Sequence, residues 1–212
     1  MTAIGQRDEV VTTPAAHGPG IADPGPLGLA GFAGTTFFLS VVNTNMLGAS
    51  VQGVVLGLAL FYGGLAQLAA GMWEFVKGNT FGALAFGSFG AFWLSFWYLL
   101  NHLPVKAEPK DILHAVGVYL LVWTIFTAYM TVAALRVSGA VLLVFALLTL
   151  TFLALTIGWF SETVAEFAKN SNAWIHIGGW LGLATALAAW YASFAGVTNA
   201  TFKRVVFPTL PR

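Results

Sequence analysis

The stretch from Leu27 to Trp73 reads LGLAGFAGTTFFLSVVNTNMLGASVQGVVLGLALFYGGLAQLAAGMW, 47 residues without one Asp, Glu, Lys or Arg. A helix needs about 20 apolar residues to cross ~30 Å of hydrocarbon, so this run is long enough to cross twice and must fold back. The break falls between Asn43-Thr44-Asn45 and Gly48-Ala49-Ser50, where polar and small residues interrupt the Phe/Leu/Val pattern. Four further uncharged runs follow: Gly78–Val105, Ile112–Leu135, Val137–Ser161 and Asn170–Phe202. They are continuously apolar rather than alternating in short segments, which predicts helices and not a barrel. The fold class expected is an all-α integral membrane protein with six transmembrane helices, over roughly 27–47, 51–73, 80–101, 112–134, 138–160 and 173–195.

Composition points the same way. The chain has 212 residues, 58% of them hydrophobic and 8% charged, against ~45–50% and ~25% in soluble domains. Nine Lys and Arg with eight Asp and Glu cannot clothe a water-exposed globule. A soluble enzyme, a nucleic-acid binder and a disordered chain are excluded. No nucleophile–base pair and no Asp/Glu/His cluster marks a catalytic or metal site, so no enzyme activity and no cofactor are expected. A net charge of +1 says nothing of partners, and the absence of cysteine excludes disulfides and thiolate metal sites.

Residues 1–22 are different material, with Pro14, Pro19, several glycines and no apolar segment of a secretory signal. They read as a disordered tail, ahead of a six-helix transport domain over 23–202 and a short basic tail over 203–212. Six crossings put both termini on one side. Arg7, Lys77, Arg136, Lys203, Arg204 and Arg212 then share that side, against Lys106, Lys110 and Lys169 on the other. The positive-inside rule places the termini in the cytoplasm, across a cell (inner) membrane.

Small residues recur on single helix faces, as in Gly28-Leu-Ala-Gly31-Phe-Ala-Gly34 and Gly63-Gly64-Leu-Ala-Gln67-Leu-Ala-Ala-Gly71. Such faces let helix backbones approach closely in lipid. With the interspersed phenylalanines they also suggest a narrow passage walled by backbone and methyl groups. Almost no ionisable residue falls at mid-depth, which argues against a cation channel and against a carrier built on a buried charge pair. Thr35, Thr36, Ser40, Asn43, Gln67, Ser88 and Ser95 could line a neutral path, or simply bond to neighbouring helices.

Two helix starts invite an anion. Asp23-Pro24-Gly25-Pro26-Leu27-Gly28-Leu29 opens the first helix, and Asn79-Thr80 the third, after Glu74 and Lys77. Free N–H groups of a first turn carry partial positive charge; Asn79 or Thr80 serving as an ordinary N-cap is the alternative. His102, His114 and His176 share the face opposite the termini. They fit solvated interfacial histidines, a pH sensor, for which His176 is a candidate, or haem ligation in a membrane redox subunit. Trp73, Trp97, Tyr98, Trp159, Trp174, Trp190 and Tyr191 fit an interfacial belt.

The segments together resemble a known family. Pro24-Gly-Pro-Leu-Gly-Leu29 with Gly31-Phe32 is similar to the Asn-Pro-Ala-Pro-Leu-Gly-Leu signature of the acetate uptake transporter family, the succinate–acetate permease group. Phe61-Tyr-Gly-Gly-Leu-Ala-Gln67, Glu74-x-x-Lys77-Gly-Asn-Thr-Phe-Gly82, Gly117-Val-Tyr-Leu120 and His176-x-Gly-Gly-Trp-x-Gly182 follow in family order. The resemblance implies six helices per subunit, a homo-hexamer, and passage of acetate, and in some members succinate, through each protomer, as an anion channel or with protons. It also implies a hydrophobic neck, carried by position onto Phe32, Phe89 and Leu148, with Leu147 the alternative to Leu148. Substrate contacts at the mouth would fall on Pro26, Leu27, Gly28, Leu29, Gln67, Asn79 and Thr80. The chain departs from the pattern with Asp23 for Asn, Gly25 for Ala and Phe89 for Tyr. An ionised Asp23 would repel an anion at that helix start.

Overall fold

A computed structural model describes residues 20–102 and 106–211. The expected disordered tail therefore lies outside the described residues, apart from 20–22. Six helices are long and apolar enough to span a membrane. They are α1 (Gly25–Asn43), α2 (Ser50–Lys77), α3 (Thr80–Asn101), α4 (Pro109–Ala134), α5 (Gly139–Ser161) and, after the short α6 (Val164–Lys169), α7 (Ala173–Phe202). The chain is an integral membrane protein.

The helix limits follow from local chemistry. Pro26 and Pro109 sit in first turns, where a missing N–H costs nothing. Asn79, Ser138, Thr163 and Asn172 cap α3, α5, α6 and α7 with side-chain oxygens. Gly78, at φ +79°, ends α2 in the left-handed conformation that glycine adopts without strain. Within α2, Leu58–Ala66 is wound as a π-helix, and it contains the Phe61-Tyr-Gly-Gly segment. Such over-wide turns concentrate at functional places.

The crossings form a ring in the order α1, α2, α3, α4, α5, α7, with α7 closing onto α1. Most neighbours pack tightly. A Cβ on Gly71 of α2 would collide with the Gly87 backbone of α3, and one on Gly179 of α7 would lie 2.5 Å from the Thr44 nitrogen beyond α1. Hydroxyl pairs tie the other seams: Thr124 with Thr156 at 2.9 Å, Thr131 with Thr149 at 2.8 Å, and Thr151 with Thr185 at 3.2 Å. The exception is α3 against α4, which touch least. Aromatic rings hold that gap, with Phe89 and Phe92 of α3 against Trp123 of α4 at 6.0 and 5.0 Å.

Two details concern the aromatic residues and the chain after Phe202. Trp159 and Trp97 are packed against the core rather than standing in an outer belt, because the wide α3–α4 side needs large side chains to fill it. The stretch after Phe202 is pinned to the bundle. Gly139 and Ala140 donate their N–H groups to Leu210 O (2.7 Å) and Thr209 O (3.1 Å), so the start of α5 is satisfied by the chain's own end. Asn199 binds Val206 and Phe207, and Tyr191 donates to Pro208 O.

At the α5–α7 junction Glu162 is buried at 5% exposure. Burial raises its carboxyl above the ordinary value and Glu166 adds to this, while Asn172 and His176 oppose it. A raised carboxyl contributes stability below the ordinary carboxylate range and loses it as pH climbs through the raised value. Glu162→Gln is therefore expected to match the wild type in thermal unfolding at about pH 4 and to exceed it at about pH 8. Gly71→Ala is expected to cost about 1–3 kcal/mol by overpacking against the Gly87 backbone. Gly53→Ala, with open space at its Cβ, is the control and should be neutral or mildly stabilising. Equal melting temperatures for the two alanine variants in detergent would show that the α2–α3 contact is not tight.

Candidate functional site

The ring encloses three cavities in line. At the terminal side lies a vestibule of about 190 Å³, lined by Asp23, Pro26, Leu29, Glu74, Lys77 and Asn79 among others. A small void of about 20 Å³ follows, between Leu29, Phe32, Gln67, Phe89, Phe145 and Leu148. Leu29, Ala85, Phe86 and Phe145 border both. Beyond it opens a far cavity of about 70 Å³, lined by Thr36, Ser40, Asn43, Trp93, Tyr119 and Thr151 with Phe32 and Leu148 at its base.

Phe32 and Leu148 border both the small void and the far cavity, and Phe89 borders the small void; the three come from different helices and each is at most 4% exposed. The Phe32 and Phe89 ring centroids are 5.5 Å apart. Phe89 also meets Phe126, Phe145 and Phe152, so the constriction is a packed aromatic cluster. Three buried polar atoms flank it without a protein partner: Gln67 Oε1 on the near side, Thr36 Oγ1 and Trp93 Nε1 on the far side. A buried polar group left unpaired costs ~1–3 kcal/mol, so each of these atoms calls for an explanation beyond packing. Ser95 and Tyr119 join α3 to α4 across the far cavity's wall at 2.7 Å.

The other sequence candidates divide. Pro26, Leu29, Gln67 and Asn79 line cavities. Leu27, Gly28 and Thr80 do not. Leu27 is 46% exposed on the outside of the bundle, Gly28 packs on the Phe86 ring, and Thr80 is exposed. The helix turns about 100° per residue, so a consecutive motif cannot face one cavity throughout. Thr35, Ser88 and Ser95, also considered as path lining, border none of the three cavities; Thr35 donates to Gly31 O and Ser95 bonds Tyr119.

The helix starts also differ from open anion seats. Gly25 N–H is taken by Asp23 Oδ1 at 3.1 Å, and Gly82 N–H by Asn79 Oδ1 at 3.1 Å. The repulsion expected from Asp23 is answered by Lys77, whose Nζ lies 2.7 Å from Asp23 Oδ1. The histidines engage separate neighbours. His102 stacks on Tyr98, His176 Nε2 donates to Asn170 O at 3.0 Å, and His114 lies beside Phe160. Among the described residues no group of three or more His, Asp or Glu is placed to hold a metal.

Sequence reasoning passed over Glu74. It is 1% exposed on the vestibule wall, with Asn79 Nδ2 donating to Oε2 at 2.8 Å. The signal was available: Gln67, Gly71 and Glu74 fall at i, i+4 and i+7, one buried stripe of α2.

The comparisons agree with this architecture. A succinate-acetate/proton symporter, SatP of Escherichia coli, is 40% identical over 188 residues, covering 89% of this chain and 95% of that protein. The solved structure of the bacterial acetate channel SatP superposes with a TM-score of 0.77 at 38% identity, covering 89% of this chain and 99% of the other. The meiotically up-regulated gene 86 protein of Schizosaccharomyces pombe is 38% identical over 202 residues and 88% of this chain. The chain spans only 63% of that longer relative. The GPR1/FUN34/yaaH family model matches residues 9–212. With the motifs in order, the six-helix ring and matches of this extent, the chain belongs to the GPR1/FUN34/yaaH family, the group its sequence resembles.

Proposed function

We propose that the chain carries acetate and similar small monocarboxylates, with succinate as a larger candidate, across the membrane along the line of three cavities inside one subunit. The observation that carries this reading is the apolar cluster of Phe32, Phe89 and Leu148, with a vestibule bearing Asp23, Glu74, Lys77 and Asn79 on one side and a far cavity bearing Thr36, Ser40, Asn43 and Thr151 on the other. The names of the two SatP relatives, a symporter and a channel, support the same cargo. Pro26, Leu29, Gln67 and Asn79 are the substrate contacts on the terminal side. No catalytic step is assigned.

The physics of the constriction selects what crosses. A carboxylate entering an apolar neck loses its hydration and gains no ion partner, a large cost. Narrow apolar constrictions also gate by excluding water. Passage therefore favours small acids, and a proton travelling with the anion lowers the barrier. The reading covers uncoupled passage of the anion and passage coupled to a proton, and flux measurements separate them.

The remainder of the reading is topological. Both termini face the cytoplasm across a cell membrane, by the lysine and arginine distribution. The subunit assembles as a homo-hexamer, which the family motifs imply. Its outward surface carries Phe61, Leu65, Val122 and Ile125, each about half exposed or more, suited to lipid or to neighbouring subunits.

Proteoliposomes containing the purified protein are expected to take up labelled acetate faster than empty vesicles. A response to voltage without a pH gradient identifies a channel, and accumulation driven by a pH gradient beyond that reached in empty vesicles identifies symport. Flux equal to that of empty vesicles overturns the transport reading. Phe32→Ala should widen the neck and raise lactate uptake relative to acetate by roughly tenfold, equivalent to a barrier lowered by ~1.4 kcal/mol. Unchanged lactate uptake at normal expression would remove Phe32 from the neck.

A further inference from the structure

We propose that Glu74 is the proton-handling carboxyl of the vestibule, giving its proton to an arriving monocarboxylate so that the substrate crosses the neck as the neutral acid. The inference rests on the transport reading and deepens it.

Glu74 is a carboxyl that the fold has made room for. It is 1% exposed, and its side chain borders the 190 Å³ vestibule. A Cβ on Gly82 would lie 2.7 Å from its Cδ, and one on Gly25 would lie 3.6 Å from its Oε1. Two glycines from two other helices thus leave the space the carboxyl occupies.

Among the described residues no cation is in contact with it, and the attraction of Lys77 is opposed by the repulsion of Asp23. Lys77 is one turn further along α2, yet its Nζ pairs with Asp23 at 2.7 Å. The hydrogen bond that the carboxyl receives comes from the neutral amide of Asn79. The groups facing it from the rest of the wall, Val137, Val141, Phe145, Ala192 and Gly196, carry no charge. Asp23 and Lys77 cancel, so among the described lining residues Glu74 sets the vestibule's net charge. Ionised, Glu74 makes it negative and repels a carboxylate. Protonated, it leaves the vestibule neutral and offers an O–H donor.

The next stage of the path has no ionisable residue: Leu29, Phe32, Gln67, Phe89 and Leu148 border the void leading to the neck. Of the two described carboxyls on the vestibule wall, Asp23 is paired with Lys77 and Glu74 is not, and the apolar stretch begins beyond them. The transfer balances simply. The O–H bond of Glu74 breaks, an O–H bond forms on the substrate carboxylate, and Glu74 is left ionised until terminal-side water reprotonates it. Two aliphatic carboxyl groups of similar intrinsic acidity exchange a proton at little cost. One anion and one proton cross per cycle.

The test is the pH profile of labelled acetate uptake into proteoliposomes, with the flux of empty vesicles subtracted. Glu74→Gln keeps the shape and the Asn79 bond but cannot donate a carboxyl proton. Uptake at about pH 7 is expected to fall at least tenfold, while uptake at about pH 5, where the neutral acid is abundant in bulk water, stays within about threefold of wild type. A wild-type profile, or an equal loss at every pH, overturns the proposal, the latter because it marks a merely structural role. Asn79→Ala supplies an independent reading should Glu74→Gln fail to assemble. Asn79 donates to the carboxylate and so favours its ionised form. Its removal should move the pH of half-maximal uptake upward by about one unit, and no movement overturns the proposal. Absence of wild-type flux at any pH would instead sink the transport reading itself.

Discussion

Close backbone approach on one part of the ring is what leaves room for a path on another. In hydrocarbon no hydrophobic force draws helices together, so packing between small residues must do it. Gly71 against Gly87 fastens α2 to α3, and Gly179 against Thr44 fastens α7 to the end of α1. Hydroxyl pairs fasten α4 to α5 and α5 to α7. With those seams drawn in, α3 and α4 are held apart by Phe89, Phe92, Tyr119 and Trp123. Aromatic spacers on one seam and glycine contacts on the others make a bundle with an interior.

Charge placement follows from that interior. A vestibule open to the terminal side can hydrate Asp23 and Lys77, which pair at 2.7 Å with both side chains partly exposed. An exposed pair of this kind is worth little to stability, about 0–1 kcal/mol. Its consequence is electrostatic: the negative charge that replaces the family asparagine is met by a neighbouring lysine. The substitution at the neck is met differently. Phe89 lacks the hydroxyl of the family tyrosine and is surrounded by the rings of Phe32, Phe126, Phe145 and Phe152.

The membrane class and the six crossings were legible because length and charge-free runs answer to one physical quantity, the thickness of hydrocarbon. The proline start of α1 was legible from local chemistry, and so was Asn79 as one of two candidate caps of α3, whereas the start of α4 at Pro109 was not. Which side of a helix faces the path was not. Leu27 and Leu29 belong to one motif, yet Leu27 points outward and Leu29 borders two cavities. The π-helical stretch at Leu58–Ala66 left no signal in composition, and it shifts the register of everything after it in α2. The chain's last residues read as a basic tail because Lys203 and Arg204 dominate their character. Their backbone instead completes the start of α5, a role that carries no side-chain signature.

Glu74 shows how a charge can be misjudged from sequence. In the sequence it stands only as a charge just before the start of α3, close to Lys77. The fold diverts Lys77 to Asp23 and turns Glu74 inward along the stripe of Gln67 and Gly71. A carboxyl at 1% exposure with a neutral amide for its partner carries a desolvation cost that a fold does not retain without return. Gln67, further along the same stripe, also keeps an unpaired oxygen beside the neck. One face of α2 therefore runs from a titratable group at the mouth to an uncharged acceptor at the constriction. That order suits a substrate which arrives charged, is neutralised, and needs only a hydrogen bond to pass.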